Sequence, residues 1–145
     1  MNKIELKAIA KKIVKESVRF HMGHWALTGD SIAPCGTIGC IAGYAILRDV
    51  MKKKEMNWVN AGEYVNRKVM FSSYDTYDPA KIGAKLLGIN ASQANVLFYT
   101  DQWPDEFQED YNKITYNGDR DSVSIRKEVA ALTAKRIRYF IKTGK

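Results

Sequence analysis

The segment Pro34-Cys35-Gly36-Thr37-Ile38-Gly39-Cys40-Ile41-Ala42-Gly43-Tyr44-Ala45 concentrates the groups in this chain that could do chemistry: two thiols, a hydroxyl and three glycines, at a junction that reads as loop into helix. Glycine lacks a Cβ, so a ligand or a second helix can approach the backbone, and the first N–H groups of a helix have no partner within it. Together these features suit an anion. In that reading the N–H groups from Cys35 to Gly39 hold a phosphate and Thr37 adds its hydroxyl, while Trp25, Tyr44 or Trp103 stacks on a base and Cys40 joins the ligand-binding residues. The Gly-Lys-Ser/Thr ending of a P-loop and the Gly-x-Gly-x-x-Gly dinucleotide pattern are both absent, so nucleotide hydrolysis by that route is not expected. The structural alternative is that Gly36, Gly39 and Gly43 only permit a tight turn and close helix contact.

The same residues admit two other chemistries. His21-x-x-His24 with Cys35 and Cys40 supplies the atoms of a closed tetrahedral zinc centre. Residues five apart on a regular helix point about 140° apart, so the two cysteines converge only if Cys35 lies off the helix. No metal is therefore expected, and a buried Cys40 with solvent-facing histidines is the competing reading. A zinc deaminase is excluded because the second cysteine comes two residues too late and no His-x-Glu precedes it. As a nucleophile, Cys35 ahead of a helix N-terminus would have its thiolate favoured by the dipole. A base is missing, since His21 and His24 are the chain's two histidines and both lie upstream. A redox pair is disfavoured by the four residues between the cysteines, where the active dithiol has two.

A composition of 145 residues with 46% hydrophobic and 27% charged content suits one globular domain, 1–145, with room for a core. No apolar run nears the roughly 20 residues of a membrane span, and the lysine-studded N-terminus lacks the apolar centre of a signal peptide. Two cysteines are too few for a disulfide-stapled secreted domain, so the expectation is a cytoplasmic chain with reduced thiols. A net charge of +7 and a pI near 9.4 favour anionic partners.

The elements that must position these groups read as helices. Lys3, Lys7, Lys11, Lys15 and Arg19 recur every fourth residue, with Leu6, Ile9, Ala10, Ile13, Val14 and Phe20 on another face, which predicts an amphipathic helix over 3–20. Ile125, Val129, Leu132, Ile137, Phe140 and Ile141 predict a second, accompanied by Arg126, Lys127, Lys135, Arg136, Arg138 and Lys142. Both terminal helices are basic, and Asp101, Asp105, Glu106, Glu109 and Asp110 form an acidic cluster between them. These are either solvated faces or, for the basic pair, a phosphate-facing surface suited to nucleic acid without sequence reading. Thr37 is expected to cap a helix to about Lys53, with Gly39 and Gly43 one turn apart. Asp78-Pro79 starts a helix that Gly88 stops, and Asn90 with Gln93 forms a capping box for the next. Trp103-Pro104 interrupts, a short acidic helix follows from Asp105, and Asn117-Gly118 reads as a turn joining short extended pieces around Ile114 to Tyr116. Residues 55–77 are ambiguous between helix and strand. The pair of helices within 81–99 has the layout of a helix-turn-helix, but its second helix is nearly uncharged.

Phe20-x-Met22-x-x-Trp25, Cys35-Gly36-Thr37-x-x-Cys40-Ile41-Ala42-Gly43-x-Ala45, Leu86-Leu87-Gly88-Ile89 and Leu97-Phe98-Tyr99 before Trp103-Pro104 together resemble, in order, a family of small uncharacterised phage and bacterial proteins. The resemblance implies a mainly helical single domain with the Cys-Gly-Thr segment as its shared signature. His24 stands where that pattern more often has a small polar residue, which weighs against a mechanism through His24. The expectation is thus a mainly α-helical, non-enzymatic protein without a cofactor that binds a phosphate-bearing ligand, with capture of a nucleotide signal in phage counter-defence as its use. The alternatives are an inhibitor that binds a host protein through the acidic 101–110 segment, and an enzyme using Cys35.

Overall fold

The computed structural model describes residues 1–22, 40–55, 60, 61, 63, 64, 78–116, 118, 119 and 122–145, and those residues are mainly α-helical with no β-strand among them. Helix α1 spans Lys3–Lys15, its first turn closed by Asn2, whose side chain accepts from the Glu5 N–H. The helix expected over 3–20 breaks after Lys15, and a single 3₁₀ turn over Ser17–Arg19 carries the chain to the buried Phe20. Helix α2, Ile41–Lys54, begins one residue after Cys40 and ends at Glu55 in the left-handed region. Every residue from Ile41 to Leu47 is buried, so this half of α2 runs through the middle of the molecule and shows no amphipathic stripe.

Helix α3, Pro79–Leu87, is capped by Asp78, which accepts from the N–H groups of Ala80 and Lys81, and Pro79 opens it. Gly88 at φ 60 stops it, and the Ile89 N–H returns to the Ala84 carbonyl. Helix α4, Ala91–Phe98, carries the complete Asn90/Gln93 capping box. Residues Thr100–Gln102 form a 3₁₀ turn ahead of Trp103. Helix α5 spans Asp105–Tyr116, so the extended pieces expected around Ile114 to Tyr116 are instead its last turn, and Gly118 lies in a connection between two helices. Helix α6, Val123–Thr143, is the longest, capped by Ser122 and stopped by Gly144.

The main core joins Leu6, Ile9 and Ile13 of α1 to Ala130, Ala134, Ile137 and Phe140 of α6, with the start of α2 and the inner sides of α3 and α4. Ile46, Leu47 and Ala61 form a second cluster, and Trp103, Phe107 and Leu132 a third under α5. Gly43 is buried within α2, while the tight backbone approach is made by Gly83 of α3, where a Cβ would sit 2.8 Å from the Ala42 Cβ. Residues 60, 61, 63 and 64 are helical. The remainder of the ambiguous 55–77 stretch, apart from Glu55, lies outside the described residues.

Candidate functional site

The start of α2 is the described end of the Cys-Gly-Thr segment; Trp25, Cys35, Gly36, Thr37 and Gly39 lie outside the described residues, as does His24. Cys40 is the N-cap and is buried, and its side chain makes no capping hydrogen bond. Burial pushes its thiol up to about 11, against the weaker downward pull of the N–H groups of Gly43 and Ala42. Burial thus disfavours the free thiolate, which fits the competing reading of Cys40 as a core residue. Among the described residues no group of three or more His, Cys, Asp or Glu side chains could hold a metal.

The two described aromatics of the expected site are core side chains, which corrects their role as stacking platforms. Tyr44 is buried, packs edge-on to Phe20 at 5.9 Å between centroids and donates its hydroxyl to the Glu16 carbonyl. Trp103 is buried in the third cluster, donates its Nε1–H to the Leu97 carbonyl at 3.1 Å and meets Tyr111 edge-on. Neither ring has a face open to a base, because each is large enough that the fold spends it on burial. Tyr44 and Cys40 share the main cluster, whereas Trp103 belongs to the other.

The structure also holds a groove that the residue types alone did not single out. It lies between α3 and α4 and has a volume of about 410 Å³. Ala80 and Ala84 on α3 face Ala91 and Ala94 on α4, and these small side chains leave the space open. Lys81, Lys85, Asn95 and Tyr99 supply its polar edge. Burial raises the Tyr99 hydroxyl, and the nearby Asp78, Cys40 and Asp101 raise it further. Asp78 also lines the groove, but its carboxylate is engaged with the first N–H groups of α3 and with Lys81 at 3.5 Å. Lys85 is exposed and has no ion pair among the described residues. The signal for this groove was present in the sequence as Ala80-x-x-x-Ala84 and Ala91-x-x-Ala94 on either side of a helix stop and a helix cap.

The basic helices also differ from expectation at two residues. Arg126 and Arg136 do not join a charged outer face: both are buried, at 2% and 0% exposure. Arg126 donates from Nη1 to the Val18 carbonyl at 2.9 Å and lines a small cavity of about 60 Å³ with Phe20, His21 and Thr115. Arg136 donates to the carbonyls of Lys145 and Val96, at 2.7 and 2.6 Å, and its guanidinium lies within 6 Å of the rings of Phe107, Tyr139 and Phe140. Burial pulls its pKa down to about 10, which still leaves it charged at neutral pH. No described helix is long and apolar enough to cross a membrane. No protein-family model matches the chain, and neither does any curated protein or solved structure.

Proposed function

We propose that the protein is a non-catalytic binding protein for a phosphate-bearing small molecule, a nucleotide or nucleotide-derived signal, and that the groove between α3 and α4 takes it. The observation that carries this reading is the pairing of a floor of alanines with two lysines on one wall, in a space of about 410 Å³, within the size range of ligand sites. A flat base or sugar fits the alanine floor beside the Tyr99 ring, and the ammonium groups of Lys81 and Lys85 suit phosphate oxygens. The groove's lining pairs no nucleophilic side chain with a base: no described Cys, Ser or His lines it, and Asp78 is engaged as a helix cap. The resemblance to small phage proteins makes interception of a host nucleotide signal, in the host cytoplasm, the use we propose for such binding.

Native mass spectrometry of the protein from its expression host, followed by calorimetric titration with ATP and with inorganic phosphate, tests the reading. A retained phosphate compound, or ATP binding that Lys85→Glu weakens by about tenfold, corresponding to ~1.4 kcal/mol, supports it. A bare mass together with no ATP or phosphate binding at millimolar concentration overturns it. A second reading, an inhibitor of a host protein, is favoured by the exposure of Asp105, Glu106 and Glu109 on α5 and of Asp101 in the 3₁₀ turn before it. Under that reading Glu106→Lys with Glu109→Lys abolishes partner capture, and Lys85→Glu does not.

A further inference from the structure

We infer that the outer faces of α1 and α6 together form a docking surface for the phosphate backbone of duplex DNA, contacted without regard to base sequence. This surface is separate from the α3–α4 groove and does not depend on it. The two helices run antiparallel. Arg126 at the start of α6 holds the Val18 carbonyl just beyond the end of α1, and at the other end the Asn2 N–H donates to the Leu87 carbonyl while Gly144 lies beside Gln93. Lys3 and Lys142 therefore sit at one end of the pair, and Lys15 and Lys127 at the other.

The helical period decides which way the cations face. Leu6, Ile9, Ala10 and Ile13 bury the inner side of α1, and Glu5 occupies its flank toward α2 by binding Arg48 and Lys52. Lys3, Lys7, Lys11 and Lys15 follow one another on the opposite flank, and all are exposed. On α6, Ala130, Ala134 and Ile137 belong to the core shared with α1, while Leu132 and Tyr139 pack toward Phe107 of α5. The exposed strip between those two sides carries Lys127, Arg138 and Lys142, with Lys135 at its α5 edge, its ammonium 5.5 Å from the centre of the Phe107 ring. The two rows thus border one another.

These cations are not spent on carboxylates. Among the described residues, ion pairs form at Lys12, Arg19, Arg48, Lys52, Lys53, Lys81 and Lys113, and at none of the eight side chains of the two rows. Glu128 lies at the strip's edge and accepts from Ser124. The two rows therefore place eight cations without a described carboxylate partner on neighbouring helix surfaces. Each four-residue step advances about 6 Å, so the α1 row is about 18 Å long, and packed helix axes lie ~8–10 Å apart. Duplex DNA carries a phosphate every ~3.4 Å of axis on each strand, so such a row lies along roughly five phosphates.

The surroundings choose among anionic partners. A helix that lies in a membrane surface must bury an apolar face in lipid, and the apolar face of α1 is already spent on the core, leaving only Ile4 at 83% and Val14 at 46% exposure among the lysines. Single strands are held by stacking bases on aromatic rings, and the described rows carry none: Phe140 is buried and Tyr139 packs on Phe107. Base reading needs side chains aimed at base edges within a groove, most specifically guanidinium or amide forks, and seven of the eight cations here are lysines on outer helix surfaces.

Fluorescence anisotropy with a labelled 20-base-pair duplex of arbitrary sequence, over a series of NaCl concentrations, tests the inference. Binding should weaken with salt at a log–log slope of about −4 to −5, since each phosphate neutralised contributes ~0.9. Lys7→Gln with Lys11→Gln should reduce that slope by about 2 and weaken binding at least tenfold at low salt, with an unchanged melting temperature. Lys53→Gln with Lys113→Gln removes the same charge elsewhere and should leave binding within twofold. The inference fails if the two double variants weaken binding equally, because net charge alone would then account for it. It also fails if no duplex binds at low salt, if the matching single strand binds more tightly, or if phosphatidylserine vesicles capture the protein and duplex DNA does not displace it. Lys85→Glu, which tests the groove, should leave duplex binding within twofold, so the two readings fail separately.

Discussion

The α1–α6 face and the α3–α4 groove are both edged by lysine, yet they are built from side chains of opposite size. On α1 and α6 the inward residues shared between the two helices are mostly leucine, isoleucine, alanine and phenylalanine in the main core, and long cations cover the outside. At the groove the residues that face across it are alanines, and the two short helices stand apart by the space that missing side-chain atoms leave. The first arrangement presents charge over a length; the second presents volume at a point. The contrast teaches that lysine content alone does not define a ligand, because shape decides whether a polymer or a small molecule can use the charge. Helices of eight and nine residues are marginal by themselves, so the groove depends on its caps and on α6, whose Arg136 reaches the Val96 carbonyl.

That dependence gives the largest expected effect. Arg136→Ala removes two charge-assisted hydrogen bonds and a set of ring contacts from the interior, and should lower the unfolding free energy by about 3–4 kcal/mol in a urea titration. Arg136→Lys should recover little, since one ammonium cannot span the Lys145 and Val96 carbonyls as a planar fork does. Recovery by lysine to within about 0.5 kcal/mol of the parent would show that only charge matters there, and that the groove does not lean on α6 through this fork.

The next effect lies where α3 meets α2. A Cβ on Gly83 would stand 2.8 Å from the Ala42 Cβ and 3.2 Å from its Cα, closer than two carbons pack, and the second of those atoms is backbone. Gly83→Val should therefore cost about 3 kcal/mol through overpacking. Gly83→Ala should cost only about 1 kcal/mol, because the helix propensity gained by removing a glycine offsets part of the clash. Combining Gly83→Ala with Ala42→Gly should restore the gap and recover more than the separate effects sum to; strict additivity would mean that the contact does not limit the approach of these helices.

These positions show what could be read without coordinates. Asp78-Pro79 with Gly88, and Asn90 with Gln93, encode helix limits in local hydrogen bonding, and the structure has them where the residue types put them. The lysine row of α1 was legible for the same reason, since a four-residue repeat has one meaning on a helix. Spacing alone places Arg126 and Arg136 on a charged face because a basic residue is usually solvated, and only tertiary contacts supply the carbonyls that let them stay inside. Tyr44 and Trp103 were read as ligand-facing from their chemistry, but pairing with Phe20 and with Tyr111 is a non-local fact. The groove escaped notice because its signal is the absence of side-chain bulk on two helices, which carries no chemistry until the helices are set side by side.

A smaller effect separates the groove's edge from its floor. Asp78→Ala removes the cap that holds the first turn of α3 and should lower stability by about 1 kcal/mol. Lys85→Glu, exposed and without a described ion pair, should change stability by less than about 0.5 kcal/mol while altering ligand binding. If Asp78→Ala leaves the melting temperature unchanged, the carboxylate is free to serve a ligand, and the groove is more polar than its alanines suggest.

The smallest effect concerns the flank of α1 that faces α2 and carries no lysine of the row. Glu5 receives Arg48 Nε at 2.6 Å and Lys52 Nζ at 3.2 Å. The hydrogen bond from Arg48 holds its carboxyl below the usual 4.5; partial burial opposes this, and Lys52 adds to the lowering. A carboxylate whose folded pKa is depressed contributes stability that is complete above its unfolded value and is lost as pH falls through the folded one. The parent should therefore exceed Glu5→Gln by about 0.5 kcal/mol at pH 6, and the difference should vanish on acidification through the region below 4.5. Parallel curves for the two proteins from pH 6 to pH 3 would break the argument. Neutralising Glu5 leaves Arg48 and Lys52 without their carboxylate and extends positive charge onto the second flank of α1, so Glu5→Gln should also tighten duplex binding slightly at low salt. A carboxylate on one flank thus confines the phosphate-facing charge to the other.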